Sequence, residues 1–220
     1  MQFHVEGAAE VPALLVRPKN ARWILVLAHG AGAGMNHPFM ENLTNELSAV
    51  AIATFRYQFP YMEQRRRVPD PPAILTATVA AAVQTAKTAA PDLPVLAGGK
   101  SMGGRMTSQA AAQNLLNGVR GLVFFGFPLH PPKLPGTKRA EHLAKVTIPM
   151  LFLQGTRDTF ADLKLLRPIC AKLSERAMLH IIESADHSFH VLKSSKRTDA
   201  AVLRELAETT ASWAEAIGEK

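Results

Sequence analysis

Three apolar runs constrain this chain more than any other feature: Trp23-Ile-Leu-Val-Leu-Ala28, Val119-Arg-Gly-Leu-Val-Phe-Phe125 and Ile148-Pro-Met-Leu-Phe-Leu153. Each is nearly continuous rather than alternating, which is the pattern of a strand covered on both faces. Further aliphatic or β-branched runs at 12–17, 50–56, 94–98 and 178–183 read as strands, and the stretches 38–49, 72–90, 102–117, 160–173 and 199–217 read as helices. In the last of these, Val202, Leu206, Trp213 and Ile217 recur near the helical period and form one buried stripe. The alanine-rich stretch Ala77–Ala90 favours helix and lets it pack closely on a sheet. Strands alternating with helices predict an α/β fold: a mostly parallel sheet of about seven to eight strands with helices on both faces. No repeat or linker interrupts the pattern, and 220 residues suit a single domain over 1–220.

Composition removes several alternatives. With 47% hydrophobic and 20% charged residues the chain has the balance of a globular protein and not of a disordered one. The longest clean apolar run, Trp23–Ala28, is far short of a membrane span, so no membrane association is expected. The stretch MQFHVEGAAEVP carries acids and no basic-then-apolar block, so no secretory signal is expected. Cys170 is the only cysteine, which excludes an intramolecular disulfide and a cysteine-based zinc site; the expected location is cytoplasmic. The net charge of +7 invites a nucleic-acid reading. However, the one tight basic run, Arg65-Arg66-Arg67, has no aromatic platform beside it, and no nucleic-acid partner is predicted.

Ligands of parallel sheets sit at the carboxyl ends of the strands, so the loops after each strand are where chemistry belongs. The strand at 94–98 leads into Gly99-Lys-Ser101-Met-Gly103, and a helix follows: G-x-S-x-G in the strand-to-helix context that gives the motif meaning. A serine at such a turn is forced into a strained conformation that lifts its side chain clear of the sheet, while the flanking glycines let chains approach closely. Ser101 therefore reads as a nucleophile. A serine hydroxyl needs a base to take its proton and an acid to orient that base. Asp158, in the loop Gln154-Gly-Thr-Arg-Asp158, and His187, in Glu183-Ser-Ala-Asp-His187, each follow a strand, in the chain order acid then histidine. Asp162 falls at the following helix and Asp186 adjoins the base. His180 lies within a strand, and His190 flanks the site.

Acyl transfer also needs two fixed N–H donors. One is expected from Met102, next to the nucleophile. The other is expected from the glycine loop His29-Gly30-Ala31-Gly32-Ala33-Gly34, from Ala31 first and Gly32 second, with His29 anchoring the loop. A dinucleotide fingerprint would need glycine at Met35 or His37, and a Walker loop would need a further glycine five residues before Gly99, where Pro94 stands, so phosphate-loop readings fail. His37, His130 and His190 lack metal-ligand spacing; no metal and no cofactor are expected.

The motifs resemble the α/β-hydrolase superfamily over essentially the whole chain. A closer likeness is to a small lidless subfamily, similar to the animal nonspecific-lethal chromatin-complex hydrolase-like subunit and to a testis-expressed hydrolase-like protein. The stretches that carry it are HGAGAGMNHPFM (29–40), FRYQFPYME (55–63), RRVPDPP (66–72), GGKSMGGRM (98–106), GFPLHPP (126–132), PMLFLQGTRD (149–158) and ADHSF (185–189). The resemblance implies the α/β-hydrolase fold with Ser101, Asp158 and His187 as triad. Some animal relatives act as complex subunits.

The only space for a lid is 126–147, whose prolines predict a stiff loop with one short helix rather than a large lid. Tyr57, Phe59, Tyr61, Phe127 and His130 either line a substrate pocket or pack the loops. Arg65–Arg67 with Lys133, Lys138 and Arg139 either make a basic rim that favours anionic substrates or form a solvated edge. The resulting expectation is a serine hydrolase of carboxylic esters or thioesters, monomeric or homodimeric. The alternative is a hydrolase-fold interaction module with the site vestigial.

Overall fold

The computed structural model describes residues 1–218. Eight strands form one sheet: β1 (Gln2–Phe3), β2 (Val11–Val16), β3 (Trp23–Ala28), β4 (Ile52–Tyr57), β5 (Val95–Lys100), β6 (Val119–Phe125), β7 (Met150–Gly155) and β8 (Ala177–Ile182). Their spatial order is β1-β2-β4-β3-β5-β6-β7-β8. β1 pairs antiparallel with β2, and β2 with β4; every other pairing is parallel. The fold is thus the α/β-hydrolase fold without a large lid.

The helices are α1 (Pro38–Ala49), α2 (Pro60–Glu63), α3 (Pro72–Ala89), α4 (Met102–Ala112), α5 (Leu163–Leu173) and α6 (Asp199–Gly218). Alternation along β3 shows how they divide. Trp23, Leu25 and Leu27 face the core built with Leu43 and Leu47 of α1 and with Leu206 and Trp213 of α6. Ile24, Val26 and Ala28 face the opposite core, with Val79 and Val83 of α3, Met106 of α4 and Leu166 of α5. Both faces of the central strands are dry, which is why they read as unbroken apolar runs.

Differences from the sequence reading lie at the ends of elements and in two short ones it did not include, β1 and α2. The two-residue β1 has no period to detect, and its role is to pair with β2. α4 stops at Ala112 instead of continuing to 117, because Asn114 turns into the left-handed region at φ +58°. The first turn of α5 is capped by Asp162, whose carboxylate accepts from Lys164 N at 2.8 Å, so the helix begins after 160. The 126–147 stretch is a loop followed by a 3-10 turn over Lys138–Lys145. No helix among the described residues is long and apolar enough to cross a membrane.

Candidate active site

Ser101 sits between β5 and α4 with φ +51° and ψ −117°, a conformation that L residues rarely adopt. The packing that enforces it can be measured. A Cβ on Gly99 would lie 2.4 Å from Ala28 O, and one on Gly103 would lie 2.5 Å from His29 O and 2.6 Å from Ala28 O. Only glycines let the turn press this closely on the end of β3.

The loops after β7 and β8 bring the partners in. Gly155 permits their contact: a Cβ there would lie 2.3 Å from Ala185 O. Arg157 N donates to Ala185 O at 2.9 Å, and Ser184 N donates to Thr156 Oγ1 at 2.8 Å. A line of hydrogen bonds results. His187 Nδ1 lies 2.7 Å from Asp158 Oδ2, and His187 Nε2 lies 2.9 Å from Ser101 Oγ. An ionised Asp158 only accepts, so Nδ1 carries the proton and Nε2 is the acceptor for the serine hydroxyl. The Asp158 side chain is fully buried. It also accepts from Gln154 Nε2 at 2.5 Å and from Phe160 N at 2.7 Å, so its charge is well supported.

The competing acids are occupied elsewhere. Asp162 caps α5, and Asp186 Oδ1 accepts from Ser188 N at 2.8 Å and His190 N at 3.0 Å, closing its own loop. His190 pairs with Asp199, which holds its pKa above the usual histidine value. His180 pairs with Glu205 at 2.8 Å.

A cavity of about 380 Å³ opens over Ser101 and His187. Its walls come from the glycine loop, Gly30 to Ala33, and from Phe39, Met40 and Phe160. Among the described residues, the N–H groups of Ala31, Gly32 and Met102 enter no backbone hydrogen bond outside the regular elements. The loop is tied down from behind. His29 is buried, its Nδ1–H donates to Gly30 O at 2.8 Å, and its Nε2 accepts from Phe59 N at 3.0 Å. Burial lowers the His29 pKa to about 4, so the ring is neutral. Tyr61 Oη donates to Ala31 O at 2.9 Å, and burial pushes its pKa up to about 12.

The aromatic residues expected at the rim require a correction. Tyr57, Phe59, Tyr61 and Phe127 are each fully buried and none lines the cavity. They pack in the core cluster beneath the loops, with Phe59 edge-on to His29 at 4.9 Å and Phe127 against Phe124 at 5.4 Å. His130 is buried as well: its Nδ1–H donates to Pro131 O at 2.9 Å and its Nε2 accepts from Asp162 N at 3.0 Å. Tertiary packing claims large rings that follow a strand, because the loop is itself part of the core. The apolar walls come instead from Phe39 and Met40, at the start of α1, and from Phe160. The Phe160 ring lies 4.3 Å from the His187 ring.

Lys100 is the other residue the motif hides. Its ammonium is fully buried with no hydrogen-bond partner among the described residues. It rests 5.8 Å from the Phe39 ring and 5.5 Å from the Phe189 ring. A Cβ on Gly126 would lie 3.2 Å from Lys100 Nζ and 3.5 Å from both Asp158 Oδ2 and His187 Nδ1. The ammonium is therefore a close neighbour of the Asp158–His187 pair. Burial lowers its pKa to about 8 against the opposing pull of Asp158 and Asp186. Among the described residues no group of three His, Cys, Asp or Glu side chains is placed to hold a metal.

The profile of a family described as an alpha/beta hydrolase domain matches residues 21–215. Among solved structures, a dienelactone hydrolase from Anabaena variabilis superposes with a TM-score of 0.75 at 21% identity, over 97% of this chain and 94% of that one. An α/β serine hydrolase without a lid from Xanthomonas campestris gives 0.76 at 15% identity, over 97% and 93%. Est1E from Butyrivibrio proteoclasticus, solved with ferulic acid bound, gives 0.74 at 16% identity, over all of both chains at 100% and 100%.

Proposed function

From its membership of the alpha/beta hydrolase family, whose profile spans residues 21–215, we propose that this chain is a serine hydrolase of carboxylic esters or thioesters. The observation that carries the reading is the hydrogen-bonded line from buried Asp158 through His187 to Ser101 Oγ, at 2.7 and 2.9 Å, ending at the floor of a cavity.

Ser101 Oγ attacks the substrate carbonyl carbon while His187 Nε2 takes its proton. The imidazolium that forms is stabilised by the Asp158 carboxylate, which accepts from three donors. Negative charge on the carbonyl oxygen is met by the N–H groups of Met102 and Ala31, with Gly32 beside them. His187 then gives its proton to the leaving alcohol or thiol, and the acyl group stays on Ser101. Water, deprotonated by His187, attacks the acyl carbon and releases the acid. Phe39, Met40 and Phe160 would hold the apolar part of the substrate. A cavity of about 380 Å³ lies near the small end of ligand sites, which favours short acyl or aryl esters. The dienelactone hydrolase and ferulic acid named for two structural neighbours agree with carboxylic-ester chemistry.

The finer family reading, to the lidless subfamily with chromatin-complex and testis-expressed relatives, rests on the seven motif stretches from HGAGAGMNHPFM to ADHSF. The test is hydrolysis of p-nitrophenyl acetate and butyrate by wild type and Ser101→Ala. Turnover by wild type alone supports the reading; equal turnover by both overturns it.

A further inference from the structure

A second cavity, of about 430 Å³, lies between α4, the loop after β6 and the 3-10 turn Lys138–Lys145. It shares no lining residue with the cavity over Ser101, and two backbone hydrogen bonds link their walls: His130 N donates to Phe160 O at 3.0 Å and Arg105 N donates to Ser101 O at 3.1 Å. The charges of this second cavity are all of one sign. Arg105, Lys138, Arg139 and His142 line it, and no Asp or Glu does. Among the described residues, Arg105, Lys138 and Arg139 enter no ion pair and their side chains donate no hydrogen bond to protein.

Arg105 is half-buried, in the first turn of α4, and both burial and the charge of Arg139 work against its guanidinium. Two partly desolvated guanidiniums that repel each other are costly unless something anionic sits between them. His142 does not add to the repulsion. Ser108 Oγ donates to Arg105 O at 2.8 Å, so it accepts from His142 Nε2–H at 2.7 Å. Burial and Arg105 lower the His142 pKa to about 4, which leaves the ring neutral. Three fixed charges remain. A monocarboxylate would neutralise one of them, whereas a phosphate dianion offers the charge and the oxygen count to engage both guanidiniums in paired hydrogen bonds. Leu129 forms an apolar floor and Leu134, 68% exposed, an apolar lip, so the pocket suits an organic phosphate better than a bare ion.

We propose that this pocket binds a phosphate-bearing small molecule, its phosphate held between Arg105 and Arg139 and its organic part over Leu134. The site is separate from the proposed ester chemistry and stands or falls without it. The basic run Arg65–Arg67 takes no part in it: these side chains are exposed, line neither cavity, and Arg66 pairs with Asp70.

Calorimetric titration with phenyl phosphate at constant ionic strength tests the proposal, with benzoate as the matched carboxylate. Saturable one-to-one binding is expected for wild type and equally for Ser101→Ala, which keeps this result independent of the catalytic reading. The Arg105→Gln, Arg139→Gln double variant should bind at least about tenfold more weakly, the loss of paired charge-assisted bonds. The Arg65→Ala, Arg66→Ala, Arg67→Ala triple variant should bind as wild type does. Should the half-buried Arg105 prove necessary for folding, the Lys138→Gln, Arg139→Gln pair on the outer wall gives the same readout. No saturable binding at millimolar phenyl phosphate overturns the proposal. So does equal affinity for benzoate, or a loss that follows Arg65–Arg67 rather than Arg105 and Arg139.

Discussion

Replacing Lys100 with Met isolates what a buried, unpartnered ammonium costs this fold. The two side chains have similar length and volume, so packing is largely kept. Burial lowers the Lys100 pKa from 10.5 to about 8, and each unit corresponds to about 1.4 kcal/mol of penalty on the charged form. That makes about 3 kcal/mol, against which attraction to the Phe39 and Phe189 rings returns roughly 1–2 kcal/mol. The pH-dependent part is thus about 1–2 kcal/mol. Below pH 8 the residue is charged in both the folded and unfolded chains, and the folded state bears the whole penalty. Between pH 8 and 10.5 the unfolded chain holds more protons, so this group makes wild type more stable as pH rises. Lys100→Met should accordingly be more stable than wild type at pH 7, and its advantage should shrink toward pH 10.5. Urea unfolding of both proteins at several pH values between 7 and 10.5 measures this directly. A stability difference that does not change with pH, or a variant less stable than wild type at pH 7, would refute the reasoning.

Three further outcomes follow from the same geometry. Asp158→Asn keeps the side chain's size but favours the wrong imidazole tautomer, and kcat toward p-nitrophenyl acetate should fall by about 10³–10⁴ with the fold intact. Gly103→Ala places a Cβ 2.5 Å from His29 O and 2.6 Å from Ala28 O, both backbone atoms; a loss of about 1–3 kcal/mol in urea unfolding is expected, together with weakened ester hydrolysis as Ser101 moves from His187. His29 has its pKa lowered to about 4 and stays neutral in the fold, whereas the unfolded chain takes up its proton near pH 6.5. Stability from this residue is complete above pH 6.5 and is lost as pH falls toward 4, and His29→Gln should show a smaller drop over that interval.

How much could be read from the sequence depended on whether a residue's role is local. Strands β3 and β6 were legible to the residue because burial on both faces leaves nearly unbroken apolar runs, interrupted in β6 only by the exposed Arg120 and by Gly121. Ser101, Asp158 and His187 were legible as positions because each follows a strand at the sheet's carboxyl edge, and the structure brings all three together. Residues whose role depends on what the fold places opposite them were not. Phe59 and Tyr61 follow a strand just as His187 does, yet they pack under the glycine loop, where no periodicity points. Lys100 stood inside the recognised motif, but its burial against Phe39 and Phe189 depends on α1 and on the loop after β8, both remote in sequence. Arg105 comes from α4 and Lys138 and Arg139 from the 3-10 turn, and they form a pocket only once that turn docks on α4.

The central claim is that Ser101 is an activated nucleophile facing a formed oxyanion site. A fluorophosphonate probe reports both at once, because it reacts with the hydroxyl and leaves a charged oxygen at the N–H donors. Intact-mass measurement after labelling should show one adduct per chain on wild type and none on Ser101→Ala. A folded wild-type protein that takes up no probe, or a Ser101→Ala variant that labels equally, would contradict the account.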